Sequence, residues 1–330
     1  MVGAGRMGRH HVVGLLSEDA EMPITVCDID KEQLKRLDES IDDVFDNLKF
    51  RTLDEVQESH IKYAGAIIAS TANNRLATIE MLLNKEVKNL LIEKPVEQSL
   101  ENVIKAIELV KHHNAKAFVN LVFRTLEQFR DFEVMINDPE LFGAMKNFNL
   151  IGGSIGIACN GVHYLDIILK MTGADDYSLN EASIDDELIA SPRGTEFFDF
   201  GGRASIDLLR SGKKVAELFI DLSATSSALP VLEITGDKAK LAIHYKKREY
   251  TLVKRIMTKN DQKDAANKYT PIEFFDFKKF KITSGTLNWL NSFKGERVDL
   301  PKLEENLLVN RLIFEWLSSS SKYQNTFPIT

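Results

Sequence analysis

A length of 330 residues predicts two domains, and 44% hydrophobic with 28% charged residues is the balance of a globular protein with core enough for both. The formal charge of -7 argues against nucleic acid or an anionic membrane surface as partner, because phosphate binding needs a basic footprint. Small molecules are the expected partners. The two cysteines, Cys27 and Cys159, stand far apart in apolar neighbourhoods, so there is no disulfide framework or zinc spacing, and no metal is expected. No run reaches the roughly 18 apolar residues of a membrane span, and the N-terminus lacks a charged-then-apolar signal region, so the expected location is the cytoplasm.

The chain opens Val2-Gly3-Ala4-Gly5-Arg6-Met7-Gly8 and continues as a helical stretch from His10 to Leu16. This G-x-G-x-x-G pattern lets a backbone approach a pyrophosphate at a helix N-terminus, which places Gly3, Gly5, Arg6, Met7 and Gly8 in a dinucleotide site. Asp28 ends the next apolar run, 20 residues past Gly8, where a carboxylate accepts the adenosine ribose hydroxyls. With Asp30 close behind it repels a 2′-phosphate, so NAD is the expected cofactor and NADP the less favoured one, although Arg6 can tolerate a phosphate. Only Met1 and Val2 precede Gly3, whereas a central strand normally takes about five or six residues. Either the true start lies upstream or the domain carries a short central strand at a cost in stability.

Apolar runs at 24–26, 66–69, 90–92 and 117–122 alternate with helically spaced segments at 31–37, 76–83 and 100–112. Such alternation predicts a Rossmann-type parallel sheet with helices on both faces over residues 1–122. In such sheets the ligand lies beyond the carboxyl ends of the strands. Ser70, Thr71 and Asn73 at one such end suit the nicotinamide half. The run Leu90-Leu91-Ile92 stops at Glu93-Lys94-Pro95, and Pro95 holds Lys94 extended at the rim. A lysine among bound groups can pass a proton to or from a hydroxyl, which makes Lys94 the candidate catalytic residue and Glu93 part of the cofactor rim. Arg124 follows the last run and either contacts substrate or caps the domain junction.

Residues 123–330 form the expected second domain. Turn signals at short intervals and period-two runs at 204–209, 216–222, 232–235 and 240–243 predict a large, mainly antiparallel open sheet. One face of such a sheet needs a cover, and a second copy of the chain is the simplest, hence a homodimer or homotetramer. Lys246, Lys247, Arg248, Lys254 and Arg255, interleaved with Tyr245, Tyr250 and Val253, read as the wet face of a strand. The segment from Cys159 to Lys170 has helical spacing that gathers Cys159, His163, Asp166 and Lys170 on one arc and Val162, Leu165, Ile168 and Leu169 on another. His163 is the candidate proton-transfer partner or hydroxyl binder, with Asn160 beside it. A helix at 303–317 and the segment 287–293 pack back toward the first domain, and the tail after Lys322 frays.

The glycine motif, Glu93-Lys94-Pro95 and Arg124 stand in the order and approximate spacing of the glucose-fructose oxidoreductase / inositol dehydrogenase (Gfo/Idh/MocA) family, which the chain resembles over nearly its whole length. The resemblance implies an N-terminal Rossmann domain and a C-terminal α/β domain whose open sheet often forms the subunit interface. It places a catalytic role on Lys94. It also implies an aspartate, a histidine four on and an aspartate three further at the substrate. His163 and Asp166 match the last two, while the first falls on Cys159. The expected activity is an NAD-dependent transfer of hydride between nicotinamide and a secondary alcohol or ketone of a sugar, polyol or sugar nucleotide, with Arg124, Cys159, Asn160 and Asp166 toward substrate. The alternatives are an aldose or dihydrodiol dehydrogenase, and a catalytically silent NAD- and sugar-binding regulator.

Overall fold

The computed structural model describes residues 1–41, 45–191, 194–255, 269–276, 281–320 and 326–330. The chain divides into two units, Met1–Thr125 with Lys281–Asn310 and Asn325–Thr330, and Leu126–Phe280 with Arg311–Gln324.

In the first unit α1 (Arg6–Glu18), β1 (Ile24–Asp28), α2 (Lys31–Glu39), β2 (Leu48–Thr52), α3 (Leu53–Glu58), β3 (Ala66–Ile68), α4 (Arg75–Asn84), β4 (Asn89–Ile92), α5 (Leu100–His112) and β5 (Lys116–Val119) alternate along the chain. Local chemistry starts the helices. Asp30 accepts from the Glu32 N–H before α2, Thr52 and Glu55 make a reciprocal capping box at α3, and Ser99 accepts from the Asn102 N–H at α5. Strands β1 and β2 pair in parallel, as do β3 with β4 and β4 with β5. Val2 bridges the halves, parallel to Cys27 on one side and Ile68 on the other. The short central strand keeps a ladder on both flanks, with Val2 N–H to Ile67 O at 2.8 Å, Ala69 N–H to Val2 O at 2.7 Å, and Cys27 N–H to Met1 O and Gly3 N–H to Cys27 O at 2.8 Å. Strand β4 is buried along its whole length, as a parallel strand covered on both faces must be.

The second unit begins with α6 (Glu127–Ile136), β6 (Met145–Ile151), a π-helical turn (Ile157–Gly161) and α7 (Val162–Thr172). Then follow β7 (Asp176–Ala190), β8 (Phe198–Arg210), β9 (Lys213–Asp221), β10 (Val231–Gly236), β11 (Ala239–His244), β12 (Glu249–Lys254) and β13 (Glu273–Asp276). They form one eight-stranded sheet in the order β13-β12-β11-β10-β6-β9-β8-β7, antiparallel throughout except for the parallel pair β6 and β9. The α/β architecture with a parallel N-terminal sheet and a mainly antiparallel C-terminal one is thus as expected. Ser211 and Gly212, both at positive φ, make the β8–β9 hairpin turn.

Four local expectations change. The 117–122 run ends its strand at Val119, and Val122–Thr125 is a turn of 3-10 helix. Lys246, Lys247 and Arg248 form the turn between β11 and β12 rather than a strand face, with Arg248 at φ 57. The chain after Lys281 forms α8 (Ser284–Lys294) and α9 (Leu307–Leu317), the latter starting four residues later than its apolar pattern. Before it, residues 301–303 line the β5 edge, with Val119 N–H to Pro301 O and Leu303 N–H to Ala117 O at 2.9 Å. Residues 321–325 of the tail lie outside the described residues. Beyond them the tail does not fray, for Phe327 and Ile329 are 1% and 0% exposed and Phe327 N–H bonds to Gln98 O.

Candidate functional site

The carboxyl rim of the first unit's sheet is built from five loops. After Val2 comes the glycine loop, in which each glycine meets a different neighbour. Gly3 sits at φ +99, and a Cβ there would stand 2.5 Å from Ser70 N; one on Gly8 would stand 2.1 Å from Gly3 O. These two are demanded by the turn and by helix-on-strand packing. A Cβ on Gly5 would have nothing within 4 Å. The protein's own packing therefore does not require this glycine, which keeps open the way to the first N–H groups of α1, and that helix start has no side-chain cap. An open cradle at an uncapped helix N-terminus fits a pyrophosphate. Arg6 is exposed at the same turn, with Met7 half-buried behind it.

At the end of β1, Asp28 does a job the sequence did not reveal. Its Oδ2 accepts the Ala4 N–H at 2.7 Å and its Oδ1 the Asp30 N–H at 3.0 Å, so the carboxylate holds the glycine loop in shape. Each oxygen has a further lone pair, which leaves the ribose role compatible with this one.

The loops after β3 and β4 are tied together by Arg75, which is fully buried. Its guanidinium donates to Ser70 O and to the carbonyls of Glu93 and Pro95, on either side of Lys94. In return Glu97 accepts the Leu76 N–H at 2.5 Å, in the first turn of α4. Thr71 Oγ1 donates to Asn73 Oδ1 at 2.5 Å, so Ser70, Thr71 and Asn73 form one braced loop. Lys94 is half-buried between the buried Glu93 and Pro95, and its peptide bond to Pro95 is cis.

Glu93 is fully buried and accepts from His11 Nε2 at 3.0 Å and from Asn120 Nδ2 at 2.5 Å. Burial pushes its pKa up, but the His11 hydrogen bond and charge, the Lys94 charge and the Asn120 hydrogen bond hold it well below the usual carboxylate range. Arg124 Nη1 lies 3.3 Å from Glu305 Oε2, an ion pair inside the first unit.

The second unit holds the other candidates. The π-helical turn, closed by Gly161 N–H to Gly156 O at 2.8 Å, puts Cys159 and Asn160 ahead of α7 rather than on it. Asp199 on β8 accepts from Ala158 N–H at 3.1 Å, Cys159 N–H at 2.6 Å and Phe200 N–H at 2.8 Å, and also bonds the Cys159 thiol. Gly156 makes room for it, since a Cβ there would stand 1.8 Å from Asp199 Oδ2. The arc of α7 that carries His163, Asp166 and Lys170 is not a solvated face. His163 is 9% and Asp166 0% exposed, and of the helix only Lys170 is not fully buried, where it meets Glu133 Oε2 at 2.5 Å. Among the described residues no three His, Cys, Asp or Glu side chains are grouped so as to hold a metal ion, and no helix is long and apolar enough to cross a membrane.

Residues 1–121 match the family model GFO_IDH_MocA, described as an oxidoreductase family with an NAD-binding Rossmann fold. The N-terminal domain belongs to the Gfo/Idh/MocA oxidoreductase family. This domain is NAD(P)-binding, in agreement with the Gly5 cradle. No curated protein matches the sequence. Solved structures share the fold over both units of the chain. A UDP-N-acetylglucosamine 3-dehydrogenase from Acidithiobacillus ferrooxidans is 16% identical over 95% of this chain and 94% of that one, TM-score 0.69. A 3-ketoreductase from Actinomadura kijaniata, in complex with NADP, is 14% identical over 96% and 95%, TM-score 0.71. A super-repressor mutant of Gal80p from Saccharomyces cerevisiae is 15% identical over 96% and 93%, also at TM-score 0.71. At such identity the likeness speaks to the fold alone.

Sequence reasoning missed Arg75, His11, Asn120, Thr286 and Asp199. Of these only Asp199 has a local signal, as an acid set between the apolar Phe198 and Phe200 at the start of β8. The others act through distant partners, 18 residues on from Arg75 at Glu93 and up to 275 between His11 and Thr286, with Ser70 O a nearby acceptor of Arg75.

Proposed function

We propose that the chain is an NAD-dependent oxidoreductase acting on a secondary alcohol or ketone of a sugar, polyol or sugar nucleotide. The observation that carries this reading is Lys94, set at the end of a buried strand with the carbonyls on both sides of it clamped by Arg75, on the same sheet rim as the Gly5 cradle. A bound nicotinamide would supply or take up the hydride. Lys94 gives the carbonyl oxygen a proton in reduction and takes it back in oxidation. His163 orients the hydroxyl or relays that proton, and Arg124, Cys159, Asn160 and Asp166 contact the substrate. Asp28 favours NAD over NADP because a carboxylate repels a 2′-phosphate. Supporting a self-assembled protein is the open face of the second unit's sheet, a concavity of about 1130 Å³ lined in part by Ile151, Phe219, Arg203 and Asp221.

Titrating NADH and then NADPH while following nicotinamide fluorescence, then screening sugars and keto-sugars for loss of that signal, tests the reading. Tighter NADH binding, oxidation by one ligand and at least a 100-fold loss of turnover in Lys94→Ala are expected. Turnover intact in that variant would sink it.

A second reading, a dinucleotide- and sugar-binding regulator, is favoured by Cys159. Where the resemblance implies the first of two aspartates there is a thiol, already bonded to Asp199. Tight NADH binding without oxidation by any of a broad panel selects this reading.

A further inference from the structure

His11, in the second turn of α1, is 1% exposed and bridges two other elements. Its Nδ1 lies 2.7 Å from Thr286 Oγ1 on α8, and its Nε2 3.0 Å from Glu93 Oε1 at the end of β4. Beside it, Gly285 has no side chain, and a Cβ there would stand 1.9 Å from Asn120 Oδ1, so this glycine lets Asn120 approach the same carboxylate.

With Glu93 ionised, Nε2 is the donor of the His11–Glu93 bond. Nδ1 then has two compatible states. In the neutral imidazole it accepts from the Thr286 hydroxyl; in the imidazolium it donates to the same oxygen, because a hydroxyl rotates to suit. Both charge states of His11 fit without moving a heavy atom, and they differ by one elementary charge beside Glu93. The charges that reach the pair are Lys94, next along from Glu93, and His10 on α1 itself, which in turn feels Arg6 and Arg9. From α8 and from the segment after β5 the pair meets Thr286 and Asn120, both uncharged.

We propose that His11 is a positioning residue for Lys94: through Glu93 it sets the charge one residue before the ammonium, and with it the pH at which Lys94 gives up its proton. The proposal rests on the proton-transfer role of Lys94 proposed above. A lysine whose proton is to move near neutral pH needs a neighbouring field that does not pin it as a cation. A solitary buried carboxylate would pin it, and a carboxylate paired with imidazolium does not.

The test measures Lys94 directly, by trace acetylation across pH with mass-spectrometric quantitation of the Lys94 peptide, in the wild type, Glu93→Gln and His11→Gln. Removing the carboxylate lowers the Lys94 midpoint by about one pH unit, and removing the imidazole, which leaves the carboxylate uncompensated, raises it by a similar amount. If either variant lacks the native circular dichroism spectrum, Thr286→Val replaces it: the imidazolium then has no acceptor for Nδ1, and the midpoint rises as in His11→Gln. Coincident midpoints in all folded variants overturn the proposal. The labelling uses neither cofactor nor substrate, so the two readings fail separately. Shifted midpoints together with full turnover in Lys94→Ala overturn the role given to Lys94; fixed midpoints with an inactive Lys94→Ala overturn the role given to His11.

Discussion

Gly5 and Gly8 stand three residues apart in one loop and answer to different neighbours. An alanine at 8 drives its Cβ into Gly3 O, and that contact is backbone, which cannot swing aside. Gly8→Ala is expected to lose about 1–3 kcal/mol in urea unfolding. Gly5→Ala meets nothing, so its unfolding curve should overlay the wild type while NADH binding weakens about tenfold or more, about 1.4 kcal/mol, by fluorescence titration. Equal loss of stability in the two variants would mean that Gly5 serves the turn and not a ligand. Arg75 is the opposite kind of residue, buried and entirely turned inward. Without its fork the buried carbonyls of Glu93 and Pro95 and the half-buried one of Ser70 lose a donor, the buried ones costing about 1–3 kcal/mol each, so Arg75→Met should destabilise the protein by about 3–5 kcal/mol in the same assay. Arg75→Lys should recover part of this, since an ammonium offers donors but not the planar fork. The spacing of the glycines made their role legible along the chain, whereas nothing near Arg75 announces the carbonyls of Glu93 and Pro95 that it holds.

At the scale of elements, the entry to α7 shows where periodicity misleads. Cys159 and His163 fall on one arc of an ideal α-helix, but the extra residue of the π-helical turn rotates Cys159 out of that register. What holds the turn is Asp199, reaching from a strand 40 residues on. Asp199→Ala should cost about 1–2 kcal/mol, as loss of a helix-start acceptor does, and should raise the rate of Cys159 alkylation, because the thiol loses its partner. Burial lifts the Asp199 pKa above its ordinary value, more than its backbone and thiol hydrogen bonds lower it. A raised folded-state pKa means that this group's contribution is complete at acid pH and lost as pH rises through the folded value. The wild type should therefore lose stability, relative to Asp199→Asn, as pH climbs above about 3.8; urea unfolding at several pH values checks the sign. The strands of the second unit were legible where alternation was clean, as in β9 and β10. Strand β7 was not, because half-exposed and exposed residues follow one another without a period.

For the whole molecule, acid stability turns on Glu93. Its pKa is lowered on folding, so its contribution is fully present above about pH 4.5 and drains away as pH falls below that value. Glu93→Gln should flatten that part of the acid-unfolding profile, opposite in sign to Asp199. Assembly is the other property at this scale. On the open sheet face Phe219 and Ile151 are 41% and 46% exposed beside the Arg203–Asp221 ion pair. If a second copy covers this face, sedimentation of the wild type gives a multiple of 37.3 kDa and Phe219→Lys gives 37.3 kDa alone. A wild-type monomer would remove the self-assembly proposal without touching the chemistry of the rim.

The sequence by itself determined the class of the fold, the glycine loop, the acid at Asp28 and the lysine at the end of the buried strand. These depend on the order of apolar and polar residues and on glycine spacing within one or two elements, and such short-range patterns survive in a linear text. Tertiary structure alone decided that Val2 completes a ladder on both sides, that α7 is buried all round, and that Arg75, His11 and Asp199 hold the loops bearing Lys94 and Cys159. Each of those facts is a hydrogen bond or a contact between elements distant in sequence, and the chain encodes it only through the way each unit folds on itself.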